Sequence, residues 1–252
     1  MSTVLALRLA GPLQSWGASA RFARRTTESA PTKSGVIGLL AAALGRDRTA
    51  NLTDLAALRF AVRIDQPGTR LRDFQTARHA DTDKAMPVSD RFYLADAVFV
   101  AAVGGDHALI RALHAAVRAP VHLPYLGRRS CPPQGPLDLG TRDVGDPVEA
   151  LKAEEWQASD WYRQQRRHDR TVNLTILGDD TTDGRLGDTL RDQPISFDPR
   201  HRRYALRSVV STSIDVPNPR FNPPARNRRP PVPVPRHEPE ALLSRMDGLR
   251  CT

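Results

Sequence analysis

Two loops concentrate the residue types that hold phosphate. The first is Gly11-Pro12-Leu13-Gln14-Ser15-Trp16-Gly17, which runs on through Arg21, Arg24 and Arg25 to Pro31-Thr32-Lys33-Ser34-Gly35. The second is Tyr125-Leu126-Gly127-Arg128-Arg129-Ser130-Cys131-Pro132. Glycine lets a ligand come close to the backbone, and a guanidinium offers phosphate oxygens a planar fork of donors. Lys33 and Ser34 fall where a helix should begin, and the free N–H groups of a first turn attract anions. Trp16 and Tyr125 have faces on which an unpaired base stacks, and Gln14 has the donor and acceptor to read a base edge. Plainer readings stand beside each: Trp16 as a plug under a sheet, Tyr125 as core beside Leu126, Lys33 as a solvated lysine at an ordinary cap, Arg128-Arg129 as a solvated turn.

The net charge of +9 favours a polyanionic partner, nucleic acid or membrane surface. All but three of the 37 basic residues (Lys33, Lys84 and Lys152) are arginine, a skew that a GC-rich genome also produces, so the charge is the signal and the arginine preference is not. Hydrophobic content of 40% is ordinary for a folded chain. Cys131 and Cys251 are far apart and lack partners at metal-site spacing, which fits a reducing cytoplasm. Met1 to Ala10 contains Arg8 and no long apolar run, so neither a signal peptide nor a membrane-spanning helix is expected.

The elements that must position these loops follow from periodicity. Leu5, Leu7 and Leu9 alternate as a strand stopped by Gly11-Pro12. Thr32 or Ser34 caps a helix carrying Val36, Ile37, Leu40, Ala41 and Leu44, and Gly45 ends it. Arg59 to Asp65 alternates again, and the polar stretch 66–90 reads as a hairpin arm. Arg91 to Val103 is the longest strand candidate. Asp106 then caps a helix with Leu109, Ile110, Leu113 and Val117 on one stripe, and a last strand is expected from Val121 to Leu126 and Leu137 to Gly140. The order predicts an α+β fold, a ferredoxin-like (RRM-like) βαββαβ domain over residues 1–146 with its arm at 66–90. A small appended helix and strands are expected over 147–216, followed by an extended Pro/Arg-rich tail at 217–252. Two further basic clusters, Arg163/Arg166/Arg167/Arg170 and Arg200/Arg202/Arg203/Arg207, suggest that one of them faces nucleic acid.

The two glycine loops, the Pro31-to-Leu40 helix start and Phe92-Tyr93-Leu94-Ala95-Asp96-Ala97-Val98-Phe99 together resemble the CasD-like, type I-E branch of the CRISPR-associated RAMP superfamily. The resemblance runs from residue 4 to about residue 156, with a weaker echo at 194–216 and none in the tail. It implies a ferredoxin-like domain with a protruding thumb hairpin. It implies a non-catalytic role in antiviral defence: holding the repeat-derived 5′ handle of a CRISPR RNA (crRNA) at one end of a cytoplasmic Cascade ribonucleoprotein complex. The implied partners are a CasC-type backbone subunit and a large Cse-type subunit that reads the PAM, with target DNA met indirectly and no membrane. The RNA-binding positions are then Gln14, Trp16, Arg21, Arg24, Arg25, Lys33, Ser34, Tyr125, Gly127, Arg128, Arg129 and Ser130, with Arg72 and His79 on the thumb.

The rival is a metal-independent endoribonuclease that processes CRISPR repeat RNA. A type I-C relative in that family cuts with a tyrosine and an adjacent lysine and histidine, and general acid–base cleavage needs such groups in reach of the 2′-OH. No Lys-His pair exists here, which leaves His122 near Tyr125. Asp179, Asp180, Asp183 and Asp188 read as a polar turn more readily than as a divalent-ion site, no zinc spacing occurs, and neither a Gly-x-Ser-x-Gly elbow nor a P-loop is present. No catalytic residue, metal or cofactor is therefore expected.

Overall fold

The computed structural model describes residues 2–17, 24–179 and 187–223. The chain divides into two units, Met1–Asn222 and Pro223–Thr252. Arg21 and the Pro/Arg-rich tail from residue 224 on lie outside the described residues.

The elements in chain order are β1 (Ser2–Ala10), β2 (Leu13–Gln14), β3 (Arg24–Arg25), α1 (Lys33–Ala43), α2 (Thr53–Ala56), β4 (Arg59–Gln66), β5 (Thr69–Gln75), β6 (Ser89–Ala95), β7 (Val98–Asp106), α3 (His107–Arg118), β8 (Asp138–Arg142), α4 (Pro147–Ala153), α5 (Asp160–Gln165), β9 (Thr171–Asp179), β10 (Asp188–Ser196) and β11 (Arg203–Pro217). The alternation of β1 buries both of its faces. Leu5, Leu7 and Leu9 pack with Val36, Ile37 and Leu40 of α1 and Ile110 and Leu113 of α3. Val4, on the opposite face, packs with Ala61, Val100 and Ala102 of neighbouring strands and with Ala150 and Leu151 of α4. Both long helices start where their caps dictate: Thr32 Oγ1 accepts from Gly35 N, and the Asp106 carboxylate accepts from Ala108 N and Leu109 N.

The main sheet has seven strands in the order β10-β11-β9-β4-β7-β1-β8, with every neighbouring pair antiparallel. Three sequence expectations need correction. The C-terminal strands form no small sheet of their own, because β9 pairs with β4 and so satisfies the backbone groups of an edge that would otherwise stay open. Pro194 accordingly sits in β10, the outermost strand, where a missing N–H costs no ladder bond to a further neighbour. Val121 to Leu126 is a loop, and the last strand is β8 alone.

The third correction concerns Arg91 to Val103. The alternation runs straight through it, yet the strand breaks at Asp96, whose φ of 54° is left-handed. β7 continues in the main sheet, while β6 turns into a second sheet with β5 on one side and β2 and β3 on the other. Asp96 is held from both directions, its N–H donating to Pro12 O and its carbonyl accepting from Gln66 Nε2. The residues read as an arm are thus the β5–β6 hairpin and its connecting loop, with Thr69 opposite Ala95 and Gln75 opposite Ser89.

Behind the main sheet a buried ion pair fastens the segment after α4. Arg63 on β4 is wholly buried, and its Nε and Nη2 donate to Asp65 at 2.7 and 2.9 Å. Its remaining donors reach Leu151 O, Glu154 O and Glu155 O. Asp65 in turn accepts from Gln157 N, and its carbonyl accepts from Trp156 Nε1. Removing one partner strands the other charge in the core, so Arg63→Met should lower unfolding stability by about 3–5 kcal/mol. Urea denaturation followed by tryptophan fluorescence measures this, and a loss under about 1 kcal/mol would mean that the pair is not buried as described.

Candidate nucleic-acid interface

The two glycine loops and the start of α1 form one assembly. Ser15 N donates to Leu126 O at 3.1 Å, and Gly127, at φ +83°, lies so close to the first loop that a Cβ there would sit 1.8 Å from Ser15 O. Gly35 brings α1 close to Trp16 as well, where a Cβ would stand 2.8 Å from Cε3. Trp16 is the hub of this packing and is fully buried. Its indole N–H donates to Gln14 Oε1 at 3.0 Å, and Gln14 Nε2 donates to Leu9 O and Ala97 O at 3.0 and 2.7 Å. Gln14 and Trp16 therefore offer no free polar atom to a ligand: with their side-chain polar atoms partnered and Trp16 wholly buried behind the groove described below, the plug reading of Trp16 holds and the base-reading role of both is corrected.

Lys33, which is buried, is corrected as well, while Ser34, though largely buried, stays in the lining of the groove described below. Lys33 Nζ pairs with Asp179 at 3.3 Å, and its backbone N–H donates to Asp192 Oδ2 at 2.7 Å. The anion at this helix N-terminus is the protein's own. Arg207 closes the network, donating to Asp192 at 2.9 and 2.8 Å and to Asp179 at 2.7 Å, while Phe60 N donates to Asp179 at 2.9 Å. Desolvation lowers the pKa of the Lys33 ammonium, and Asp179 opposes that fall. Arg207, expected in an outward-facing cluster, is spent internally.

What remains exposed lines a groove of about 1420 Å³. One wall is the second loop with Tyr125, Gly127, Arg128 and Arg129; the floor is α1 and the turn after it, with Gly35, Gly38, Arg46 and Arg48. The other wall is the β10–β11 hairpin, with Arg191, Phe197, Arg202, Arg203 and Tyr204. Arg25 completes a lining of eight guanidinium groups against one carboxylate, Asp47. Of the eight, Arg46 is already paired with Asp54. Arg128 is oriented from two sides, stacking 4.8 Å over the Tyr93 ring and donating to Arg25 O at 2.9 Å. Phe197 and Tyr204 stand 6.4 Å apart, ring to ring.

Other residues fall elsewhere. Arg24 stacks over Phe92, 5.5 Å from its centroid, and does not line the groove. Arg72 pairs with Asp90 on the hairpin, and His79 lies in its connecting loop, so neither reaches the groove lining. Arg163 donates to Trp156 O, and Arg166 stacks on Tyr162 while staying exposed, so this cluster lies apart from the groove lining. Ser130 lies at a smaller cleft beside the groove. Cys131 is buried, and burial raises its thiol pKa. His122 and Tyr125 both line the groove. Sequence reasoning missed Arg46, Arg48, Arg191, Phe197 and Tyr204; only Arg46 and Arg48, flanking the helix exit after Gly45, left a local signal. Among the described residues no group of three or more His, Cys, Asp or Glu is placed to hold a metal, and no helix is long and apolar enough to cross a membrane.

Comparison with known proteins places this geometry among relatives. The model of the family described as CRISPR-associated protein (Cas_Cas5) matches residues 4–210. The chain is 37% identical over 238 residues to the CRISPR system Cascade subunit CasD of Escherichia coli (strain K12), covering 86% of this chain and 99% of that protein. A solved chain of a CRISPR RNA-guided surveillance complex is similar at 36% identity and a TM-score of 0.71, over 88% of this chain and 95% of the other. The crystal structure of a Cas protein matches at 36% identity and a TM-score of 0.66, over 88% of this chain and all of the other.

Two substitutions separate scaffold from surface. Gly127→Ala meets both the left-handed backbone and Ser15 O, and should cost on the order of 1–3 kcal/mol in denaturant unfolding. Lys33→Met should leave affinity for a single-stranded polyanion within about twofold, because its charge faces Asp179, whereas Arg203→Ala should weaken it several-fold. Equal weakening in the two variants, read by fluorescence anisotropy, would contradict the placement of Lys33.

Proposed function

The chain belongs to the CRISPR-associated Cas5 family, and from this we propose that it is a non-catalytic subunit of a Cascade-type surveillance complex that holds the 5′ handle of the crRNA in its arginine groove. The observation that carries this reading is the groove lining itself: eight guanidiniums, a single carboxylate, and the rings of Tyr125, Phe197 and Tyr204 beside the buried Trp16. Guanidiniums track a phosphate backbone and rings accept unstacked bases, the combination that single-stranded RNA requires. Arg25, Ser34, Tyr125, Gly127, Arg128, Arg129 and Ser130 remain as RNA contacts, joined by Arg48, Arg191, Arg202 and Arg203; Arg24 stands outside that lining.

The strand order β8-β1-β7-β4, with α1 and α3 as the two crossovers, supports a ferredoxin-like core over 1–146. The β5–β6 hairpin is then the thumb. Phe74, Met86 and Val88 are exposed on it, which supports a protein contact there, assigned to the CasC-type backbone subunit. The large Cse-type subunit is the second neighbour, and target DNA is met through the assembly, in the cytoplasm. Residues 147–216 serve as an extension that supplies the second groove wall, and β11 carries on to Pro217, paired with Thr171.

Repeat-RNA cleavage is the second reading, and the presence of His122 and Tyr125 in one groove favours it. One experiment decides between the two. The protein is mixed with guide RNA carrying its cognate 5′ handle or a scrambled one, with and without EDTA, and followed on native gels across salt and on denaturing gels. The expected result is handle-dependent retardation of intact RNA. Its log–log salt slope should fall by about 0.7 for each phosphate that is no longer neutralised when Arg202 and Arg203 are changed to Glu. An unchanged slope in that variant overturns the groove assignment, and discrete cleavage abolished by His122→Ala replaces the binding reading with the nuclease.

A further inference from the structure

Beside the groove lies a smaller cleft of about 380 Å³. Six arginines line it, Arg25, Arg48, Arg91, Arg128, Arg129 and Arg202, and no carboxylate does. Two of them hold a buried nitrogen that has no hydrogen-bond partner: Arg91 Nε and Arg128 Nη1. A buried donor left unmade costs about 1–3 kcal/mol, and more when it is charged. The strand pairing adds to this cost. β3 runs parallel to β6 with Arg25 in register with Arg91, so two like charges sit side by side on paired strands, an arrangement that is unfavourable by itself. Asp73, opposite Arg91 on β5, does not line the cleft.

The two orphan donors belong to one place. Arg91 and Tyr93 are two residues apart on β6 and so share a face. Arg128 stacks on the Tyr93 ring and is pinned by Arg25 O, which fixes its fork before any ligand arrives. Repulsion between guanidiniums, unmade donors and pre-set orientation all point to an oxyanion as the missing partner.

We propose that this cleft is a phosphate subsite, in which Arg91 Nε and Arg128 Nη1 donate to the non-bridging oxygens of one phosphodiester of the bound RNA. Arg129 and the Ser130 hydroxyl stand at the same cleft as further donors. The inference rests on the RNA reading above and goes past it, because Arg91 lies outside both glycine loops and the main groove lining. It makes one linkage of the RNA unlike the rest: its charge is read at a built site, where the others are held by an open field of arginines.

A set of handle RNAs, each with a neutral methylphosphonate at a different single linkage, is titrated against the wild type and Arg91→Gln. In the wild type one linkage should lose about tenfold in affinity, a loss that shrinks below about threefold in Arg91→Gln, while the other linkages cost the same in both proteins. A second arm uses no RNA. Pyrophosphate should raise the melting temperature of the wild type above that in chloride of equal ionic strength, and leave Arg91→Gln unmoved. RNA bound normally with no linkage coupled to Arg91 overturns the subsite. A pyrophosphate shift that depends on Arg91, in a protein that binds no RNA, keeps the anion site and sinks the RNA reading instead. If Arg91→Gln does not fold, the exposed Arg129→Gln carries the same comparison.

Discussion

The groove exists because four charged side chains satisfy one another at its back. Asp179 ends β9, Asp192 lies in β10, Arg207 in β11 and Lys33 at the first turn of α1, and each is bonded to at least one of the others. Burying charges is costly unless every lone pair and proton finds a partner, and here the carboxylates also take Phe60 N and Lys33 N. The cost is met by geometry: the network ties the β10–β11 hairpin to α1, beside the bond from Gln193 to Ala56 O and the packing of Phe197 on the core. Together these contacts hold Arg191, Arg202 and Arg203 opposite the glycine loops.

The same network explains which parts of the site were legible in the sequence. Periodicity located β1, α1, α3 and β4, because each buries a face at its own repeat and each begins or ends at a residue that can do little else, such as Thr32 or Asp106. The Gly127 loop was legible as a close approach of backbone, since its φ of +83° and its contact with Ser15 O both call for glycine. Lys33 was misread because a helix N-terminus looks the same whether its anion is a ligand or an aspartate 159 residues away. Trp16 and Gln14 were misread because a loop between strands can still be core when another loop closes over it. The break at Asp96 was invisible, since hydrophobic alternation is identical on both sides of a change of sheet. The second groove wall could not be found at all from local pattern, because it arrives through pairing of β9 with β4.

Net charge pointed to a polyanion, nucleic acid or membrane surface, and carried nothing of where the charge is placed. Arg63 and Arg207 are as basic as Arg202 and Arg203, yet the first two are consumed inside the fold. Their placement, and not the total of +9, separates scaffold from surface. Arg63 holds the segment after α4 against the back of the sheet, and Arg207 holds the hairpin against its front. Eight others line one groove, where they repel one another and favour whatever anion arrives.

β6 is the spar that the hairpin and the phosphate cleft have in common. One of its edges carries β5, and the other carries β3 with Arg25. Because side chains alternate along a strand, a slip of one residue in the β5–β6 ladder would turn Arg91 and Tyr93 together to the opposite face. A protein that grips the hairpin and locks its register thereby also sets the angle at which two guanidiniums meet a phosphate. Where two contacts load one strand, any coupling between them is reciprocal in binding free energy.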